Sequence, residues 1–129
     1  MNIGEVAEHT GIPTKTIRYY EEIGLVHPTR RPNGYRAFRD ADIHKLTFLG
    51  RARALGFTIE DCRNLLALYE DESRESSQVR AIASDHLKKI VQKIVQLESM
   101  HKTLSDLVDA CKGDHRPDCP ILSDLSSSL

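Results

Sequence analysis

The sequence predicts a mainly α-helical fold: a winged helix-turn-helix at the N-terminus with a small β-hairpin wing, then one long helix, then a short loop with two cysteines. Three observations carry that prediction. Two short amphipathic helical patterns flank Gly11 and are followed at once by an Asn33-Gly34 hairpin signal. The stretch from Ser77 to Ala110 runs for 34 residues with neither Gly nor Pro. Cys111 and Cys119 then bracket seven residues that include Gly113 and Pro117, a composition that folds the backbone back on itself.

Asn2 is placed to cap a first helix whose Ile3, Val6 and Ala7 share a face, and Gly11 ends it in a tight turn. Pro13 opens the second helix, from about Thr14 to Glu22, which carries Lys15, Arg18, Tyr19 and Tyr20 before Gly24 stops it. An ordinary helical hairpin with a solvated basic face has the same local pattern. The next segment favours the helix-turn-helix over that hairpin. Leu25-Val26-His27 reads as a short strand, Pro32-Asn33-Gly34 as a turn, and Tyr35-Arg36-Ala37-Phe38 as the returning strand. Arg30, Arg31, Arg36 and Arg39 surround Tyr35 in this wing, a basic and aromatic mixture suited to phosphate contacts beside a helix seated in the neighbouring groove.

Asp40 caps the next predicted helix, which runs to about Leu55 with Ile43, Leu46, Thr47, Leu49 and Gly50 on or near one face and Gly56 at its end. Thr58-Ile59-Glu60-Asp61 has the spacing of a capping box, and Cys62, Leu65, Leu66, Leu68 and Tyr69 supply the apolar stripe of a further helix. The polar run from Glu70 to Ser77 reads as a connector. As one helix, the 34 residues after it would be about 51 Å long. With Ala83, Ile90, Leu97 and Leu104 at heptad position d, position a takes Leu87, Ile94, His101 and Val108. The sequence holds no second helix of that length to cover this seam, so an inter-subunit coiled coil and a homodimer are expected. His101 is then a polar, register-setting residue in the coil.

Composition bounds the function. The chain has 129 residues, 40% hydrophobic and 29% charged, in the range of one domain with an appendage. Its apolar runs are only a few residues long, so no membrane span is expected. Met1-Asn2-Ile3-Gly4-Glu5 lacks the features of a secretory signal, and a reducing cytoplasm is expected. The net charge of −1 hides an asymmetry: residues 1–58 carry nine Lys/Arg against six Asp/Glu, and residues 59–129 carry nine against thirteen. That modest footprint supports nucleic-acid binding only where the basic residues are concentrated on one surface. No paired acid and base, nucleophile constellation or phosphate-binding glycine loop is present, so an enzyme is not expected.

The three cysteines, Cys62, Cys111 and Cys119, exclude an all-disulfide framework by parity. Cys62 lies on the apolar stripe of its helix and reads as a small core residue. Cys111 and Cys119 offer two thiolates without a further obvious soft ligand, which suits a monovalent ion such as Cu(I). Spacing alone leaves three other readings open: a pair of free thiols, a reversible disulfide, and half of a zinc site completed by His115, Asp114 or Asp118.

Together these residues resemble the MerR family of dimeric transcriptional regulators over essentially the whole chain. The resemblance rests on Ile3-Gly4-Glu5-Val6-Ala7, Thr16-Ile17-Arg18-Tyr19-Tyr20-Glu21, Gly24-Leu25-Val26 and Asn33-Gly34-Tyr35-Arg36. Cys111 and Asp118-Cys119-Pro120-Ile121 are similar to the family's copper-efflux regulator branch, which implies Cu(I) as the effector, with Ag(I) and Au(I) as mimics. Where divalent sensors carry a further cysteine just before the long helix, this chain has Ser76, which also implies a monovalent ion.

The resemblance implies a division into a DNA-binding domain at 1–70, a connector at 71–76, a dimerisation helix at 77–110 and a metal-binding loop and tail at 111–129. It implies groove and phosphate contacts from Lys15, Arg18, Tyr19 and Tyr20, and backbone contacts from Asn33, Gly34, Tyr35 and Arg36. It further implies that the dimer binds a palindromic promoter, represses without metal, and with Cu(I) bound distorts the DNA into alignment for RNA polymerase, so activating copper-export genes. The alternatives are a zinc- or redox-responsive regulator of the same family and, in another class, a metal-buffering or chaperone protein.

Overall fold

The computed structural model describes residues 1–127. Its elements run α1 (Ile3–Thr10), α2 (Thr14–Glu22), β1 (Thr29–Arg30), β2 (Arg36–Ala37), α3 (Asp40–Ala54), α4 (Ile59–Glu70), α5 (Ser76–Ala110) and α6 (Pro120–Ser126). The chain divides into two compact units, Met1–Ile82 and the residues from Ala83 onward.

The first unit holds the core. Asn2 caps α1 as expected, its Oδ1 accepting from the Glu5 N–H at 2.9 Å. Gly11 closes α1 at φ +76°, a left-handed conformation that a side chain would strain, and its N–H donates to Ala7 O. Val6 from α1, Ile17 and Tyr20 from α2, Leu46 and Leu49 from α3 and Cys62 and Leu66 from α4 meet in one cluster with Leu25, Val26 and Phe38.

The wing differs from the sequence reading. Leu25-Val26-His27 is not a strand. Both Leu25 and Val26 are buried, which a strand with alternating faces would not allow, and their N–H groups donate to Tyr20 O at the end of α2. Pro28 then has no N–H to give a ladder. The strands are two residues each, antiparallel, with Thr29 opposite Ala37 and Arg30 opposite Arg36. The turn between them is where the sequence put it: the Gly34 N–H donates to Arg31 O at 2.8 Å, with Gly34 at φ +85°. Tyr35 is outside the returning strand, and Phe38 leaves it for the core, where its backbone pairs with Met1.

The cap of α3 is also shifted. Asp40 is the first helical residue, and Asp42 closes the terminus from within, its Oδ2 accepting from the Arg39 N–H at 2.9 Å. In α4 the predicted Thr58 cap is present, with Oγ1 accepting from the Asp61 N–H at 3.0 Å. Its stripe buries Cys62 and Leu66, while Tyr69 stays largely exposed and rests its ring against Phe48.

The long helix starts one residue earlier than the sequence pattern indicates and spans 35 residues, about 52 Å. None of its residues is buried in the single chain. Leu87, Ile94, Leu97, Leu104 and Val108 are each 48–60% exposed, and Ile90 is half-buried. Val91, Val95 and Met100 are also exposed, so the apolar band is wider than the two-position seam. No helix among the described residues is long and apolar enough to cross a membrane.

Candidate functional site

The helical period of α2 sorts its side chains. Ile17 and Tyr20, three apart, point into the core, which leaves Lys15, Arg18 and Tyr19 on the outer face. Tyr20 is only 4% exposed, so its expected place among the groove contacts is corrected: it is a core residue, and burial pushes its phenol upward against the nearby Arg53 guanidinium. Tyr19 is 46% exposed beside it, with ring centroids 6.2 Å apart.

In the wing, Tyr35 and Gly34 stand exposed at the tip. Asn33 folds the tip, its Oδ1 accepting from the Tyr35 N–H at 3.1 Å. Arg36 is turned back toward α2: its Nε donates to Glu21 Oε1 at 2.9 Å. The same oxygen accepts from Arg30 Nη2 at 3.2 Å, and Arg30 Nη1 reaches Gly34 O at 3.0 Å. Arg63 of α4 donates to Ile23 O at 2.7 Å and so satisfies a carbonyl at the C-terminus of α2. The sequence reading quoted Glu21 within the family motif but gave it no role, and it missed Arg63. These contacts are 9, 15 and 40 residues apart, beyond any local pattern.

At the other end of the chain, the backbone fold-back brings Cys111 and Cys119 together, with sulfurs 3.8 Å apart. Cys111 follows the last turn of α5, its N–H donating to Leu107 O and Val108 O. Cys119 is the N-cap of α6, with Pro120 at the first helical position. The Leu122 N–H draws the Cys119 thiol below its ordinary value, helped by Cys111 and the Ile121 N–H and opposed by partial burial. Gly113 turns the loop at φ +64°, and Arg116 is tied to Asp114 by a 2.9 Å ion pair that holds the Asp114 carboxyl below its usual range.

His115 lies exposed, and no group of three or more His, Cys, Asp or Glu able to hold a metal occurs among the described residues. The sulfur spacing alone does not choose a metal. Zn–S bonds of about 2.3 Å place two sulfurs about 3.8 Å apart on a tetrahedral ion, and a linear ion needs them farther apart. The donor set is more selective: two sulfurs from one subunit suit a soft, low-coordinate ion and fall short of the four ligands of structural zinc. Cys62 takes no part, being fully buried with its thiol pushed upward by that burial.

Residues 1–68 match the family model of MerR HTH regulatory proteins, and residues 43–107 match a MerR DNA-binding model. The chain belongs to the MerR family. It is 57% identical over 126 residues to the HTH-type transcriptional regulator HmrR of Rhizobium leguminosarum bv. viciae, covering 98% of each chain. It is 42% identical to the HTH-type transcriptional regulator CueR of Salmonella typhimurium, over 98% of this chain and 92% of that one. Among solved structures, the regulator PbrR691 of Ralstonia metallidurans CH34 in complex with lead(II) superposes with a TM-score of 0.80 at 28% identity, over 98% of this chain and 99% of that one. This MerR-family chain is a DNA-binding transcriptional regulator and not an enzyme.

Proposed function

We propose that this chain is a cytoplasmic, homodimeric, Cu(I)-responsive activator that controls a copper-export or copper-homeostasis gene by distorting promoter DNA for RNA polymerase. The observation that carries the reading is the donor set: Cys111 and Cys119 are brought together, and no third His, Cys, Asp or Glu is grouped with them among the described residues. Two further features support a monovalent ion: Ser76 stands where divalent sensors of the family carry cysteine, and the similarity to CueR and HmrR spans nearly the whole chain. The exposed apolar band of α5 supports the homodimer, through Leu87, Ile90, Ile94, Leu97, His101, Leu104 and Val108.

Cys111 and Cys119 would hold the ion, and a bound ion would tie the end of α5 to the start of α6. Lys15, Arg18, Tyr19, Asn33, Gly34 and Tyr35 form the DNA side of the protein, and Arg36, expected beside them, is engaged by Glu21. The two DNA-bound states share these contacts and differ in DNA shape, so the effector acts on their relative stability.

The test is an anaerobic Cu(I) titration of the reduced dimer against a competing chelator, with X-ray absorption at the copper edge, beside a Zn(II) titration. Two Cu–S bonds per subunit, no nitrogen shell and much weaker zinc binding are expected, with Ag(I) and Au(I) behaving as Cu(I) does. Tight zinc binding in a mixed sulfur and nitrogen shell overturns the reading in favour of a divalent sensor using His115. Absence of promoter binding would move the protein to metal buffering.

A further inference from the structure

We infer that Glu21 is a positioning residue for DNA recognition, one carboxylate that sets the wing against the recognition helix and holds two of its arginines back from non-specific phosphate contact. The inference rests on the family's DNA binding and not on the identity of the metal.

Arg30 and Arg36 are direct cross-strand partners in a ladder only two residues long. Two like charges facing each other across a strand pair are destabilising, and a short two-stranded hairpin has little stability to offset them. The countercharge comes from α2. Glu21 Oε1 lies 2.9 Å from Arg36 Nε and 3.2 Å from Arg30 Nη2. The Glu21 and Arg36 side chains are 19% and 20% exposed, so water screens this pair less than an open surface pair. Arg30 extends the restraint to the tip through its bond to Gly34 O.

The placement of Glu21 is informative because helix energetics do not favour it. It occupies the last turn of α2, which contains no basic residue, and a carboxylate there faces the negative end of the helix dipole. Among the described residues, its ion-pair partners, Arg30 and Arg36, are both on the wing. Lys15, Arg18 and Tyr19 on α2 and Tyr35 on the wing reach one stretch of DNA together only when the angle between the two elements is fixed. With Glu21 neutralised, that angle is released and two guanidinium groups become available to any phosphate.

The experiment uses the full-length reduced dimer and two duplexes: an operator selected by the wild-type protein from a random-sequence library, and a scrambled duplex of equal composition. Glu21→Gln is nearly isosteric and removes only the charge. It is expected to bind the scrambled duplex about tenfold more tightly and to steepen the dependence of log K on log salt by about 1 to 2 per subunit. The ratio of specific to non-specific affinity is expected to fall about tenfold or more. Glu21→Asp keeps the charge but is one methylene too short to span both arginines, so its salt slope stays near wild type while the ratio falls.

A Glu21→Asp protein with the wild-type ratio overturns the positioning role, since charge masking alone would then suffice. An unchanged ratio in Glu21→Gln, or a loss on both duplexes in step with a lowered Tm, also overturns it. A wild-type protein that selects no operator would instead overturn the DNA-binding reading, and this inference with it.

Discussion

At the scale of single residues, the α2 period separates reading from folding. Arg18→Ala is expected to weaken operator binding by about 1–3 kcal/mol with little change in Tm, measured by titration on specific and scrambled duplexes. Equal loss on both duplexes would restrict Arg18 to phosphate. Tyr20→Ala is expected to cost about 3 kcal/mol or more of unfolding free energy in denaturant, because it empties a ring-sized volume in the core. The motif that carries the family resemblance named both tyrosines without distinguishing them. Adjacent helical residues point about 100° apart, so the assignment depends on where the core lies. Burial also gives an alkaline signature. The Tyr20 phenol and Cys62 thiol are both raised above their ordinary values of 10.0 and 9.0 by desolvation. A folded pKa above the unfolded one leaves stability intact below the unfolded value and removes it as pH rises toward the folded one. Unfolding free energy is therefore expected to decline from about pH 9 upward, and Cys62→Ala with Tyr20→Phe should flatten that decline relative to its own neutral value.

At the scale of elements, what was legible is what is encoded locally. Asn2, Gly11 and Thr58 mark helix boundaries through bonds made within four residues, and the structure places each of those ends where the sequence does. The strand expected at Leu25-Val26-His27 failed because its two apolar residues answer to the core and to the α2 carbonyl, which are tertiary facts. The α5 band was visible by period, but a strict heptad template left out Val91, Val95 and Met100. That wider band makes a prediction about association. Leu97→Asp places a charge in the middle of the seam, and sedimentation equilibrium is expected to show a shift from dimer to monomer, whereas Lys102→Asp on the same helix leaves the dimer intact. A Leu97→Asp protein that remains dimeric would move the interface off this face.

At the scale of the whole molecule, the proposed function has a loop of two sulfurs change what happens on DNA. The sequence contained the two cysteines and their spacing, but not the 3.8 Å approach of their sulfurs, which requires the loop turned by Gly113 and the α6 cap at Cys119. Along the chain, α5 (Ser76–Ala110) ends next to Cys111. Coupling between distant sites is a free energy, and it is reciprocal: an ion that tightened or loosened DNA binding would have its own affinity changed by DNA to the same extent. A switch that alters DNA shape with both states bound carries its effect in the partition between two bound conformations, and where the DNA holds both conformations about equally the net affinity difference is small. Cu(I) affinity is accordingly expected to be the same within about threefold with and without saturating operator, measured by chelator competition on the full-length dimer. Cys111→Ser and Cys119→Ser should each retain operator binding and lose metal-dependent transcription. A tenfold or larger change of Cu(I) affinity on adding operator would instead show that the ion shifts DNA occupancy, and loss of operator binding in both serine variants would make the thiol pair a structural element of the fold.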